Sequence, residues 1–247
     1  MRPVLRPLLA PFTDTLNGLD RCLDRGARGL LLAALGLLAG WWLYVPVHEL
    51  SHAAACRATG GEVTRLEIDR IYGGALLARA FPFVVPASRY AGRLSGFATH
   101  GNDLVYLATD LGPFLLTLFP GVWALRRAAA ARCEVLFGAA LPFALAPFLS
   151  LGGDAYEIGS ILVTRLSPWA APATRSLLRG DDLGKKLGEL ASVPGAPWGG
   201  ALLAVLLGAL WAFGTYALAG AVARALGEGE VTRPTAAPSP SPERRSR

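Results

Sequence analysis

Gly29 to Val47 is a run of 19 residues without a charged side chain, long enough to cross the hydrocarbon layer of a bilayer as one helix. Ala53 to Cys56 prolongs it beyond a short polar patch. Three more blocks of this kind follow: Leu104–Leu125, broken only by Asp110; Val135–Gly153, again 19 uncharged residues; and Trp198–Val222. Only 17% of the chain is charged, against about 25% in a typical soluble domain. The blocks exclude intrinsic disorder and collagen-like repeats, and they argue against an ordinary soluble enzyme. The expected architecture is an all-α polytopic membrane protein with about four spans, near 29–56, 104–125, 135–163 and 198–226.

The remaining segments divide accordingly. Residues 1–28 place Leu5, Leu8, Leu9, Phe12 and Leu16 at helical spacing among Arg and Asp, as an interfacial helix would. In the connector 57–99, Glu62 to Asp69 alternates with period two and reads as a strand. Ala80 to Val85 is its expected hairpin partner across a Gly73-Gly74 turn. Residues 165–197 are polar and should lie along the interface. The Pro/Ser/Arg/Glu tail, 227–247, has the composition of a disordered segment. The net charge of +6 sits on connectors beside apolar blocks, which suits lipid headgroups better than nucleic acid. Lys and Arg number thirteen on one side of the expected topology and eleven on the other, so charge asymmetry does not orient the chain.

Chemistry concentrates at the end of the first span, in His48-Glu49-Leu50-Ser51-His52. Residues i and i+4 share one helix face, so both imidazoles can reach a single zinc ion, and Glu49 can then activate a zinc-bound water. Cys22, Cys56 and Cys133 have no CxxC spacing and offer no thiolate site. A catalytic zinc usually has a third protein ligand. Asp154 lies 20 residues after Glu134, as His48 lies 20 residues after Arg28. On parallel helices that is about 30 Å of travel to the same face. Glu157, three residues on, is the other acid. His100 begins the returning span at that face, as a ligand, as a donor to a developing oxyanion, or as a helix cap, a role open to Asn102 or Asp103 instead. Asp110 reads as an inter-helix polar contact.

With these residues in place, the chain resembles the site-2 protease family of intramembrane zinc metalloproteases. The resemblance rests on His48-Glu49-x-x-His52 at a span end, Asp154 on a later parallel helix, Gly112-Pro113 inside the second span, and the β-like stretch after the first motif. The chain departs from the family in having glycines before its aspartate rather than after it, and in leaving no room for a PDZ domain. The resemblance implies a zinc endopeptidase in which Zn2+ is held by His48, His52 and Asp154. Glu49 would be the base and His100 a further catalytic candidate. The substrate would be a membrane protein, cut in or near its transmembrane segment and held by strand addition to residues 62–69 or 80–85. The family also places the metal and the 57–99 connector on the cytosolic side. Ala/Gly/Arg/Pro-rich usage suggests a bacterial cytoplasmic membrane. The sequence leaves the oligomeric state open.

Overall fold

The computed structural model describes residues 6–87, 89–166 and 168–227. Most of the expected tail and the first five residues of the interfacial segment fall outside these. The chain is mostly helical with one small sheet. Helix α1 (Arg6–Leu23) leads into α2 (Gly26–Ala58), which runs unbroken through the first apolar block and carries the HExxH sequence in its last three turns. The last block is likewise one helix, α12 (Trp198–Ala225). Both are long and apolar enough to cross a membrane. Their outward faces are apolar: Leu31, Leu38, Leu202, Leu206 and Leu210 are all at least half exposed.

The two middle blocks are not straight spans. The second comprises α4 (Asp103–Leu111), α5 (Phe114–Leu116) and, after one π turn, α6 (Val122–Ala130), with a 43° bend at Gly112-Pro113. The third block breaks into α7 (Glu134–Ala144), α8 (Ala146–Leu149) and α9 (Asp154–Val163). Among the described residues, therefore, four uninterrupted spans are not present; two helices qualify, or three if the bent pair counts as one. The cause lies in the backbone. Pro147 has no N–H to offer Phe143, four residues back, and the Phe143 carbonyl instead accepts the Thr117 hydroxyl at 2.8 Å. At Gly152 the carbonyl accepts the amide of Leu183 at 2.8 Å, and the chain restarts as α9.

Between α2 and α4 lies the sheet: β1 (Glu62–Ile68), β2 (Val84–Val85) and β3 (Gly92–Ala98), ordered β2-β1-β3. This corrects the expected hairpin. Gly73 does turn the chain, at φ 81°, but it leads into the short helix α3 (Gly74–Ala80). That crossover brings β2 in parallel to β1, with Leu66 opposite Val84. The antiparallel partner is β3, with Glu62 opposite Ala98 and Ile68 opposite Gly92. The inner face of the sheet packs Val63, Leu66 and Ile68 onto Ala53 and Cys56 of α2 and Val105 of α4. The sheet is thereby fixed to the same stretch of α2 that bears the histidines.

A second core, around Leu125, Phe137, Tyr216 and Ala219, joins α1, α2, α6, α7 and α12. Glycines thin the helix contacts. A Cβ at Gly36 or Gly40 would strike the Val135 or Ala139 carbonyl of α7, and one at Gly138 would strike the Ala33 carbonyl of α2. Gly159 and Gly208 make the same close approach between α9 and α12. The connector 165–197 forms α10 (Pro172–Leu178) and α11 (Leu183–Ala191), packed onto α9 and α12 through Trp169, Leu178 and Leu190.

Candidate metal centre

His48 and His52 project from one face of α2 and meet Asp154, the first residue of α9. The separations are 3.2 Å between the two Nε2 atoms, 3.3 Å from His48 Nε2 to Asp154 Oδ2 and 3.4 Å from His52 Nε2 to Asp154 Oδ1. The three side chains are mostly buried. Asp154 stands in the first turn of its helix, where the backbone dipole favours an anion.

The outer nitrogens show what this triangle can hold. His52 Nδ1 lies 2.8 Å from the Thr109 carbonyl. A carbonyl only accepts, so Nδ1 carries the proton and a neutral His52 presents a lone pair at Nε2. His48 Nδ1 is hydrogen-bonded to the Tyr44 hydroxyl at 2.8 Å, one helical turn earlier. Asp154 Oδ2 has no hydrogen-bond donor although it is buried. With the Tyr44 hydroxyl accepting from His48 Nδ1, both Nε2 lone pairs turn toward the Asp154 carboxylate, an arrangement that a cation relieves. Ligands at about 2.0–2.1 Å in a tetrahedron stand about 3.3 Å apart, close to the spacing of the two imidazoles and of each imidazole from its own nearer carboxylate oxygen. The group could hold a metal ion through two imidazoles and a carboxylate.

Glu49 leaves α2 beside the triangle and lines a cavity of about 450 Å³, together with His52 and Asp154. Gly92, the first residue of β3, makes room for it: a Cβ there would strike the Glu49 side chain. Other walls come from β3 (Arg93, Ser95, Phe97), α4 (Tyr106, Asp110) and the loop Gly180–Asp182. Outside the membrane helices, Arg65 donates to Glu67 at 2.8 Å, and that hydrogen bond holds the Glu67 carboxyl below its usual range.

The other candidates fall elsewhere. His100 does not join the triangle or line the cavity: it is exposed beyond the end of β3, in a left-handed turn at φ 52°, with Nε2 3.8 Å from Glu62. The capping role belongs to Asn102, whose side chain accepts the Leu104 amide at 2.9 Å. Glu157 is buried and accepts the Tyr106 hydroxyl, so it is not among the three converging donors. Asp110 is a buried inter-helix residue that also lines the cavity.

Three partners escaped the reading of the sequence. Tyr44 had a signal, its four-residue spacing from His48. The Thr109 carbonyl had none, because backbone acceptors are invisible to composition. Strand β3 was hidden by Gly92 and Gly96, which dilute its alternation. No protein-family model, curated protein or solved structure matches the chain.

Proposed function

We propose that this chain is an intramembrane zinc metalloprotease, hydrolysing a peptide bond in or near the transmembrane segment of a membrane-anchored substrate. The observation that carries this reading is the convergence of His48, His52 and Asp154 to 3.2–3.4 Å, with Glu49 beside them on an open cavity. Zinc, when bound by these three side chains, supplies Lewis acidity and brings the pKa of a coordinated water to about 7. The chain's own residues do the rest. Tyr44 and the Thr109 carbonyl hold the two imidazoles in their ligating orientation. Glu49 takes a proton from the attacking water and returns it to the departing amine.

A substrate helix hides its carbonyls, so it must unwind to be cut. The sheet supports a role in holding the unwound stretch, with one change of strand. β1 is central and paired on both sides, whereas β3 is an edge and lines the cavity. Addition of an extended segment to β3 would lay it past Glu49.

In this reading the blocks 103–130 and 134–163 also cross the bilayer, as a bent and a broken segment, giving four crossings. The polar groups freed at the breaks have protein partners, such as Thr117 on the Phe143 carbonyl, as non-helical backbone within a membrane requires. The membrane is the bacterial cytoplasmic one, with the centre toward the cytosol.

The test is purified Glu49→Gln protein. It should keep its zinc and cleave a membrane substrate about 10²–10⁴-fold more slowly than wild type. Cleavage at the wild-type rate would sink the assignment. Zinc in the wild-type protein with no cleavage of any of a panel of membrane substrates would favour a metal-binding scaffold that retains the fold.

A further inference from the structure

The cavity has a charge opposite to that of the chain. The chain carries a formal +6. The cavity is lined by six carboxylates (Glu49, Asp110, Asp154, Glu157, Asp181 and Asp182) against two cations, Arg93 and Lys185, a formal −4. A divalent ion would cancel only half of that excess.

The excess is ordered by helix geometry. Tyr106 and Asp110 share a face of α4 at four-residue spacing, and Asp154 and Glu157 share a face of α9 at three-residue spacing. The faces meet through the hydrogen bond from the Tyr106 hydroxyl to Glu157. Asp110 and Glu157 therefore form an inner wall beside the metal ligands. Glu157 is 5% exposed and Asp110 3%. Asp110 lines the cavity, yet its Oδ2 has no hydrogen-bond donor. Of the two cations, Arg93 is occupied at the mouth, 3.7 Å from Asp181 and over the Tyr90 ring. A buried carboxyl group that lines a cavity and leaves one oxygen without a donor is a place prepared for one.

We propose that this inner wall receives a lysine or arginine side chain of the bound polypeptide, held between Asp110 and Glu157 next to the scissile region; the assignment of that cation to a substrate rests on the protease reading above. An ammonium or guanidinium fits better than a second divalent ion. Hard divalent cations take six or more oxygen ligands or keep several waters, and here two carboxylates are offered, one already accepting from Tyr106. An ammonium needs only a few acceptors, and a guanidinium can address two carboxylates with its planar fork. The cavity volume of about 450 Å³ lies within the range of ordinary ligand sites.

The experiment uses full-length, zinc-loaded protein in detergent and a labelled synthetic transmembrane peptide. The peptide carries one arginine, scanned along its length, and each version has a citrulline twin that differs only in charge. At one position the arginine peptide should bind about tenfold more tightly than its twin. In Asp110→Asn the ratio should fall to within about twofold, and Asp110→Glu should restore part of it. A purely structural role for Asp110 would shift both twins together and leave the ratio intact. Glu157→Gln supplies the same measurement if Asp110→Asn does not fold. Equal binding of the twins by wild type, or a ratio that survives both substitutions, overturns the proposal. So does metal analysis showing two ions per wild-type chain and one in Asp110→Asn, which would make the wall a second metal site. Cleavage of the same peptides separates the two readings. Arginine preference in binding without cleavage removes the protease and keeps the subsite; cleavage without preference does the reverse.

Discussion

The polar cluster around Arg126 and the one around His48 and His52 lie within the helical part of this protein, and they are built in opposite ways. In the first, Arg126 of α6 is 7% exposed, its Nε donates to Asp14 of α1 at 2.8 Å, and Nη1 donates to the Gly220 carbonyl of α12 at 3.3 Å. The Tyr216 hydroxyl adds a second donor to the same Asp14 oxygen at 3.0 Å. Every strong charge has an opposite charge or a hydrogen bond, and three helices are tied together. In the second, where the ends of α2 and α9 meet α4, two imidazoles and a carboxylate converge, and one oxygen each of Asp154 and Asp110 has no donor. A polar cluster that is closed upon itself stabilises a fold. One left open beside a cavity costs stability and is explained by what it binds.

That contrast makes different demands on each cluster. The largest effect belongs to the open one. Asp154→Ala should lower bound zinc from about one ion per chain to near zero, measured by elemental analysis after gel filtration, while the protein remains folded. Retention of zinc by Asp154→Ala and its loss from Glu157→Ala would transfer the third ligand to Glu157. The closed cluster should behave in the converse manner. Arg126→Met should keep its zinc and lose roughly 3–5 kcal/mol of stability, because Asp14 is left buried without its cation, and Arg126→Met with Asp14→Asn should recover most of that loss in denaturant titrations. A smaller effect is expected from the support of the ligands. Tyr44→Phe removes the hydroxyl on His48 Nδ1 and should weaken zinc binding about 10–100-fold by competition with a chelator. The smallest is His100→Ala, which should leave zinc content unchanged and stability within about 0.5 kcal/mol.

How far the sequence was legible follows the range of the forces involved. His48 and His52 could be paired from helical spacing alone. Asp154 could be placed beside them by counting along two parallel helices. It does arrive there, although by another path: a chain broken at Leu145 and Gly152 that restarts at Asp154 itself. Breaks of this kind depend on which distant group accepts or donates in place of the lost helix bond, as Thr117 does for Phe143, and spacing carries no record of that. Likewise Arg179 donates to Asp103 at 2.7 and 3.1 Å across 76 positions. Strand pairing was the least legible part. The alternation of 62–69 announced β1, but its true partner contains two glycines, and the Gly73-Gly74 turn leads into a helix instead of a hairpin.

The glycine seams between the helices also bear on traffic to the centre. Backbone lies directly against backbone where α2 meets α7 and where α9 meets α12, and Gly112 of the bent segment sits equally close to the Ser51 carbonyl of α2. The contacts at these seams are backbone on backbone, so an opening there would mean moving whole helices apart. At the mouth, by contrast, β3 and the 180–182 loop are joined by Arg93 and Asp181, both about half exposed, a contact worth about 0–1 kcal/mol in water. The boundary of the cavity that parts most cheaply is therefore the one between the sheet and this loop, and the histidines are approached with least cost over the sheet.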